Sequence, residues 1–165
     1  MSKLKPLYFY WISSLIIAIS GYYLLSLVMS KHYIFGSMFR MLPYHHRHPI
    51  QYILITCLFF GLFAVLFQNK FTKSRWSVQL LITLLVVFMT ITASAPFGGM
   101  LWHLHDMFAG RFPDEWLIVL FGQGSIEGLM LGWPIILDSF PYNILGVISS
   151  FFLLKKGAEI SQKLN

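Results

Sequence analysis

Four polar side chains in two separate stretches have the types needed to bind a metal ion. The stretch YHHRH contains His46 and His48, and the stretch WHLHD contains His103 and Asp106. Imidazole nitrogens together with a carboxylate suit Zn²⁺, and also Fe²⁺, Cu²⁺ or Ni²⁺. The sequence therefore supplies the donors for one divalent transition-metal cofactor such as zinc, although no HExxH or similarly spaced motif specifies it.

Helical geometry separates the two histidines of WHLHD. On a helix over 97–108, His103 and Asp106 lie about 60° apart around the axis, whereas His105 lies about 160° from His103. Two prolines bracket YHHRH and favour an extended segment, in which alternate side chains share one side. We therefore predict a metal site to which each stretch contributes two ligands: His46, His48, His103 and Asp106.

The same histidines also fit two roles that need no metal. Histidine has an unperturbed pKa of about 6.5, so histidines gathered at a membrane surface can respond to pH near neutrality. Histidines in loops beside a membrane can also bind lipid headgroups or cap helices. The sequence leaves both alternatives open beside the metal site.

Two acidic residues, Glu127 and Asp138, lie in an apolar region near the C-terminus. They are eleven positions apart, so on one continuous helix they would lie about 20° apart around the axis. Acidic side chains inside a membrane typically mark proton or cation paths. The alternative for Glu127 is a buried hydrogen bond to Gln123, Ser125 or a neighbouring span. The alternative for Asp138 is a surface position, beyond the bend expected at Pro134.

Long apolar runs must position these side chains. Hydrophobic residues make up 57% of the 165 residues and charged residues only 11%. The apolar residues form runs of about 20, the length that a helix needs to cross a bilayer. The sequence thus predicts one integral membrane domain over residues 1–165. Its predicted fold is all-α, a polytopic transmembrane helical bundle with spans over 7–29, 50–67, 77–95 and 132–154.

The segment between the third and fourth predicted spans is expected at the membrane surface. Residues 97–108 form an amphipathic pattern, and a helix of about 18 Å is too short to cross the bilayer. We therefore predict a short amphipathic interfacial helix there. The next stretch, 113–131, is interpreted as a re-entrant segment or, in the alternative, as an extra span that raises the count to five.

The basic residues flank the apolar runs and indicate the orientation of the chain. With four crossings and a cytoplasmic N-terminus, eight Lys and Arg residues lie inside and four outside, whereas five crossings reverse the excess. Cytoplasmic loops carry the excess of positive charge, so we predict four crossings of the cell membrane with a cytoplasmic N-terminus. In these positions the net charge of +6 favours contact with anionic lipid and not with nucleic acid.

Three classes of function agree with this sequence. The first is an accessory, regulatory or protective membrane protein that acts through contacts with lipid, with another membrane protein or with a second copy of itself. The second is a small oligomeric transporter or channel subunit that uses Glu127. The third is a metal-dependent enzyme at the outer face. Since the sequence contains no phosphate loop and no recognisable Ser-His-Asp arrangement, it favours the first class over an enzyme.

Overall fold

The computed structural model describes residues 4–31, 33–39, 48–111 and 114–163. This part of the chain is helical and contains no strand, which confirms the predicted all-α class. A π-helical segment, Ile118–Gln123, leads directly into the fifth α-helix. The α-helices are α1 Leu4–Val28, α2 Gly36–Phe39, α3 Pro49–Thr72, α4 Trp76–Phe108, α5 Gly124–Asp138 and α6 Tyr142–Lys163.

Four of the described helices are long and apolar enough to span a membrane, which agrees with the predicted number. Three of them are α1, α3 and α4, and the fourth is the helix Ile118–Asp138, which joins the π-helical segment to α5. A helix satisfies its backbone polar groups within one segment, and for this reason apolar runs of such length become helices in lipid. The helix α6 has a similar length but contains Lys155, Lys156 and Glu159.

The position predicted for the fourth span, 132–154, is wrong, because the chain bends within it. The helix α5 ends at Asp138 and α6 begins at Tyr142. Pro141 has no backbone N–H and disfavours a helical conformation in the residue before it. The amide of Asn143 donates to the carbonyls of the last turn of α5, which closes this end. Within the stretch 113–131, residues 118–131 therefore form the first two thirds of the fourth long helix.

The interfacial helix predicted at 97–108 is not a separate element, because α4 runs without interruption from Trp76 to Phe108. The predicted third span ended at residue 95, and the next residue, Pro96, lies inside this helix. Proline removes one backbone hydrogen bond, yet membrane helices tolerate it where neighbouring helices compensate. With 33 residues, α4 is about 50 Å long and exceeds a hydrocarbon core of about 30 Å. The amphipathic segment 97–108 is therefore the last third of α4.

One cluster of buried apolar side chains lies where α1 begins and where α3 and α6 end. It includes Tyr10, Phe71, Val86 and Leu154. Burial of such side chains is the main contribution to the packing of these helices in the absence of polar partners. Exposed basic residues surround this cluster, and we call this region the basic end: Lys5, Lys70, Lys73, Arg75, Lys155 and Lys156.

A second cluster lies about 18 Å further along α1, around Tyr22. It joins Tyr22 to Phe35, Ile53 and Cys57 and therefore links α1, the segment before α2, and the first half of α3. The last turns of α4 and the first turn of α5 lie toward the same side. We call this region the histidine end, after its polar residues: His48, His103, His105, Asp106 and Glu127.

Candidate functional site

Small residues bring the backbones of α4 and α5 into direct contact. A Cβ atom added to Gly99 would collide with the carbonyl oxygen of Gly124, and one added to Gly128 would collide with that of Ala95. Gly132 also packs against Ala95, so three glycines spaced by four residues line one face of α5. Small residues at this spacing let membrane helices approach closely. We call this contact the glycine seam.

The glycine seam places His103 of α4 beside Glu127 of α5. The distance from His103 Nε2 to Glu127 Oε2 is 3.0 Å. The second carboxylate oxygen, Oε1, accepts a hydrogen bond of 2.6 Å from the amide of Gln123, one turn earlier on the same helix. With Glu127 ionised, both partners donate to it, and His103 carries a proton on Nε2. The side chains of His103 and Glu127 are 13% and 28% exposed, so the pair is largely shielded from solvent.

Trp102 completes this polar group. Its ring stacks on the imidazole of His103 with ring centroids 5.4 Å apart and planes inclined by 25°. The stack fixes the orientation of the imidazole toward Glu127, since a histidine ring that packs on one face turns less readily. The site therefore combines a carboxylate, an imidazole, an amide and an indole within two adjoining helices.

The other residues of WHLHD have different partners. His105 points away from His103, as the helical geometry predicts, and its Nε2 lies 3.1 Å from the side-chain oxygen of Gln51. Its ring stacks on His48 with centroids 5.3 Å apart. Asp106 instead accepts a hydrogen bond of 3.4 Å from Arg111. The two predicted stretches therefore do meet at one end of the bundle, but through His48 and His105.

Three of the four residues predicted to bind a metal ion have other partners in the described part of the chain. Of its four proposed ligands, His103 is paired with Glu127, Asp106 with Arg111, and His48 with His105. Within 4–31, 33–39, 48–111 and 114–163, no group of three or more His, Cys, Asp or Glu side chains could hold a metal ion. His46 lies outside the described residues, so the complete four-residue site stays a prediction.

Asp138 has a structural partner at the other end of α5. Its Oδ2 accepts hydrogen bonds from the backbone N–H of Ser37 at 2.6 Å, the hydroxyl of Ser37 at 3.0 Å and the backbone N–H of Met38 at 3.2 Å. These donors belong to the first turn of α2, which has unpaired N–H groups that a carboxylate can satisfy. Gly36 has a φ of 81°, and a Cβ there would collide with the Asp138 carboxylate. Asp138 therefore anchors α2 to the bundle.

A large cavity lies between the helices. Its volume is about 550 Å³, and all six helices contribute to its lining. Most lining side chains are apolar, with hydroxyl groups such as those of Ser14, Thr90 and Ser94 between them. Trp102 and Glu127 lie in the lining at the histidine end, and Glu127 is the one charged side chain among the described lining residues.

Part of the cavity lining is formed by exposed side chains of α1 and α6. Ile17 and Leu24 of α1 and Leu145 of α6 line the cavity, and all three are large apolar side chains with an exposed surface. A Cβ added to Gly146 of α6 would have no atom within 4 Å, which shows that the first half of α6 leaves space beside it. Side chains of α1 and α6 that border the cavity are therefore themselves exposed.

Sequence reasoning considered Gln123 as a partner of Glu127 but missed His103 and the cavity. A signal for the pair was present in the spacing of Gly124, Gly128 and Gly132, which is typical of close helix contacts in membranes. On this helix Glu127 lies about 60° around the axis from Gly124, so it had to lie at the margin of the face that contacts the partner helix. The sequence contains no comparable signal for the cavity, because the cavity depends on how α6 packs against the other helices.

Comparison with protein-family models, with curated proteins and with solved structures finds no match to this chain. Its helices define the class: a multi-pass helical membrane protein with four helices able to span a bilayer. Arguments about its function therefore start from its own cavity and polar contacts.

Proposed function

We propose that this protein is an accessory membrane protein that binds a lipid of the surrounding bilayer in its central cavity. The observation that carries the proposal is the cavity of about 550 Å³ between the six helices. Ligand sites in proteins are concave, mainly apolar and about 300–1,000 Å³ in volume, with a few polar groups that fix the orientation. The cavity agrees with each part of this description.

The surface of the cavity favours a lipid over an ion path. A conduction path needs polar or charged groups at successive positions along its length. Here Glu127 lies at one end of the lining, whereas Asp138 is engaged by α2. The remaining lining is apolar with scattered hydroxyls, which suits an acyl chain. The polar group around Glu127 at one end then suits the headgroup of an amphipathic molecule.

The lipid content of the purified protein tests this proposal. Protein extracted in mild detergent is expected to retain lipid that native mass spectrometry detects at about one molecule per chain, since the cavity has the volume of a single-ligand site. The substitution Gly146→Leu places a side chain in the space beside α6 and should remove most of the retained lipid. Leucine is a better helix former than glycine, so α6 should tolerate the change.

The matched control is Gly122→Leu, which adds the same side chain on the exposed π-helical segment, outside the cavity lining. This variant should retain as much lipid as the wild type. Equal retention by Gly146→Leu, or a wild-type protein with no lipid and a stoichiometric protein partner, would overturn the proposal.

We further propose that the basic end faces the cytoplasm and that the protein resides in the cell membrane. Six exposed Lys and Arg residues from three segments lie at this end, and positive charge accumulates on cytoplasmic loops. Of two reporter enzymes fused after Asn165, only the one that needs the cytoplasm for its activity should then be active. Activity of a periplasmic or extracellular reporter at this point would reverse the orientation.

A further inference from the structure

We infer that the ligand of the central cavity carries a primary amine, which binds the carboxylate of Glu127 beside the ring of Trp102. This inference rests on the proposed function, because it identifies the headgroup class of the lipid. It is carried by a carboxylate with unused acceptor capacity at the end of a cavity whose other described lining residues carry no charge.

The carboxylate of Glu127 retains the capacity to accept further hydrogen bonds. Two oxygens provide about four acceptor sites, and the described contacts use one on each oxygen. The Glu127 side chain is about three-quarters shielded, and it borders a cavity whose other described lining residues carry no charge. A carboxylate in such surroundings is stabilised by a donor that also carries positive charge. A protonated primary amine offers three N–H donors in a compact group.

Trp102 adds a second contribution to the same subsite. It lines the cavity, and its ring stacks on His103, which itself contacts Glu127. An ammonium group near the face of a tryptophan is attracted by the negative potential of the ring. Because Trp102 and Glu127 both line the cavity, we expect the ring to add this attraction to that of the carboxylate.

The surrounding charges disfavour an anionic headgroup. Arg111, the basic residue nearest in sequence, is paired with Asp106 and is largely exposed. No Lys or Arg occurs among the described residues of the cavity lining, so a phosphate without an amine would meet only the carboxylate. A choline headgroup has the positive charge but lacks N–H donors, and it should bind less well than a primary amine. Weaker binding of choline than of a primary amine would distinguish the inferred site from one that prefers any cation.

A competition experiment with defined lipids tests the headgroup class. Delipidated wild-type protein is incubated with equal amounts of phosphatidylethanolamine, phosphatidylcholine and phosphatidylglycerol that share the same acyl chains. Native mass spectrometry should show phosphatidylethanolamine enriched by about tenfold over phosphatidylglycerol, which corresponds to about 1.4 kcal/mol. Phosphatidylcholine should fall between them, because it retains only the attraction to the indole ring.

The variant Glu127→Gln removes the charge but keeps a group that can hydrogen-bond to His103 and Gln123. It should lose the enrichment and retain the total amount of bound lipid. The control is Glu159→Gln, which changes an exposed carboxylate at the basic end that pairs with Lys156, and it should retain the wild-type order. In case Glu127→Gln unfolds, Trp102→Leu offers a second variant, with a smaller loss of enrichment.

Two sources of the amine are distinguished in the same assay. If dodecylamine displaces bound lipid but phosphatidylethanolamine is not enriched, the amine-bearing ligand is a single-chain molecule. Dodecanol, which has the same chain length but no charge, should displace no bound lipid. Wild-type protein that binds all three lipids equally and ignores dodecylamine overturns the inference while the proposed function stands. Wild-type protein that binds none of these amphiphiles overturns the proposed function itself.

Discussion

The two ends of this molecule use glycine in different ways. Toward the basic end, Gly157 accommodates the ring of Tyr10, and Gly61 accommodates the ring of Trp11. At the histidine end, Gly99 and Gly128 lie against the backbone of the neighbouring helix. A side-chain ring can rotate or shift among its neighbours, whereas a helix backbone moves only as a whole. The basic end is therefore held by adjustable side-chain packing and the histidine end by fixed backbone contact.

This difference matches the distribution of polar groups. The basic end has its charges on exposed side chains around the cluster, where positions need not be exact. The histidine end contains the shielded contact of 3.0 Å between His103 and Glu127, which requires both helices at a defined separation. Close backbone contact supplies that separation, since glycine leaves no side chain that could adjust it. The seam thus positions the polar group that borders the cavity.

The largest effect is expected at the glycine seam. Gly99→Ala places a methyl group against the carbonyl oxygen of Gly124, so α4 and α5 must separate. We expect a loss of stability at or above the upper end of the range of about 1–3 kcal/mol for overpacked cores. Denaturant unfolding in detergent micelles, followed by circular dichroism, measures this loss.

The adjacent residue supplies a control on the same helix turn. Gly98→Ala adds the same methyl group at 3.6 Å from the ring of Tyr52, an ordinary contact distance. Because alanine favours a helix by about 1 kcal/mol over glycine, this variant should be as stable as the wild type or slightly more stable. Equal stability of the two variants would contradict the backbone contact at Gly99.

A smaller effect is expected at Gly157 toward the basic end. Gly157→Ala meets the ring and hydroxyl of Tyr10, which can shift within the cluster. We expect a loss of about 1–2 kcal/mol, below that of Gly99→Ala, in the same unfolding assay. Gly146→Ala on the same helix has no atom within 4 Å and serves as the control. A loss at Gly157 that exceeds the loss at Gly99 would break the distinction between the two ends.

The smallest global effect is expected from the exposed carboxylates. Asp138→Ala removes the acceptor of three hydrogen bonds from Ser37 and Met38, so the effect should be confined to α2. Hydrogen exchange at these two amides should become faster, with little change in the unfolding midpoint of the bundle. Glu159→Ala at the basic end loses one exposed pair and should stay within about 0.5 kcal/mol of the wild type. Exchange at Ser37 unchanged by Asp138→Ala would show that the anchor is dispensable.

Part of the candidate site follows from the sequence. The helical periodicity separates His105 from His103, and Gln123 is near enough in sequence to be recognised as a partner of Glu127. His103 and Asp106 were expected to share a ligand for the same reason. Instead, Asp106 pairs with Arg111, and the glycine seam places His103 beside Glu127. Positions 24 residues apart become neighbours only when α5 folds back on α4.

The apolar runs by themselves determined the helical class and the number of long helices, because a backbone in lipid must satisfy its hydrogen bonds within each segment. The runs did not determine the helix boundaries: Pro96 lies within α4, whereas α5 ends at Asp138, shortly before Pro141. Whether a proline interrupts a helix depends on the neighbouring helices that compensate for it. The cavity and the contact between His103 and Glu127 were decided by tertiary structure alone, because both are properties of the spaces and distances between helices.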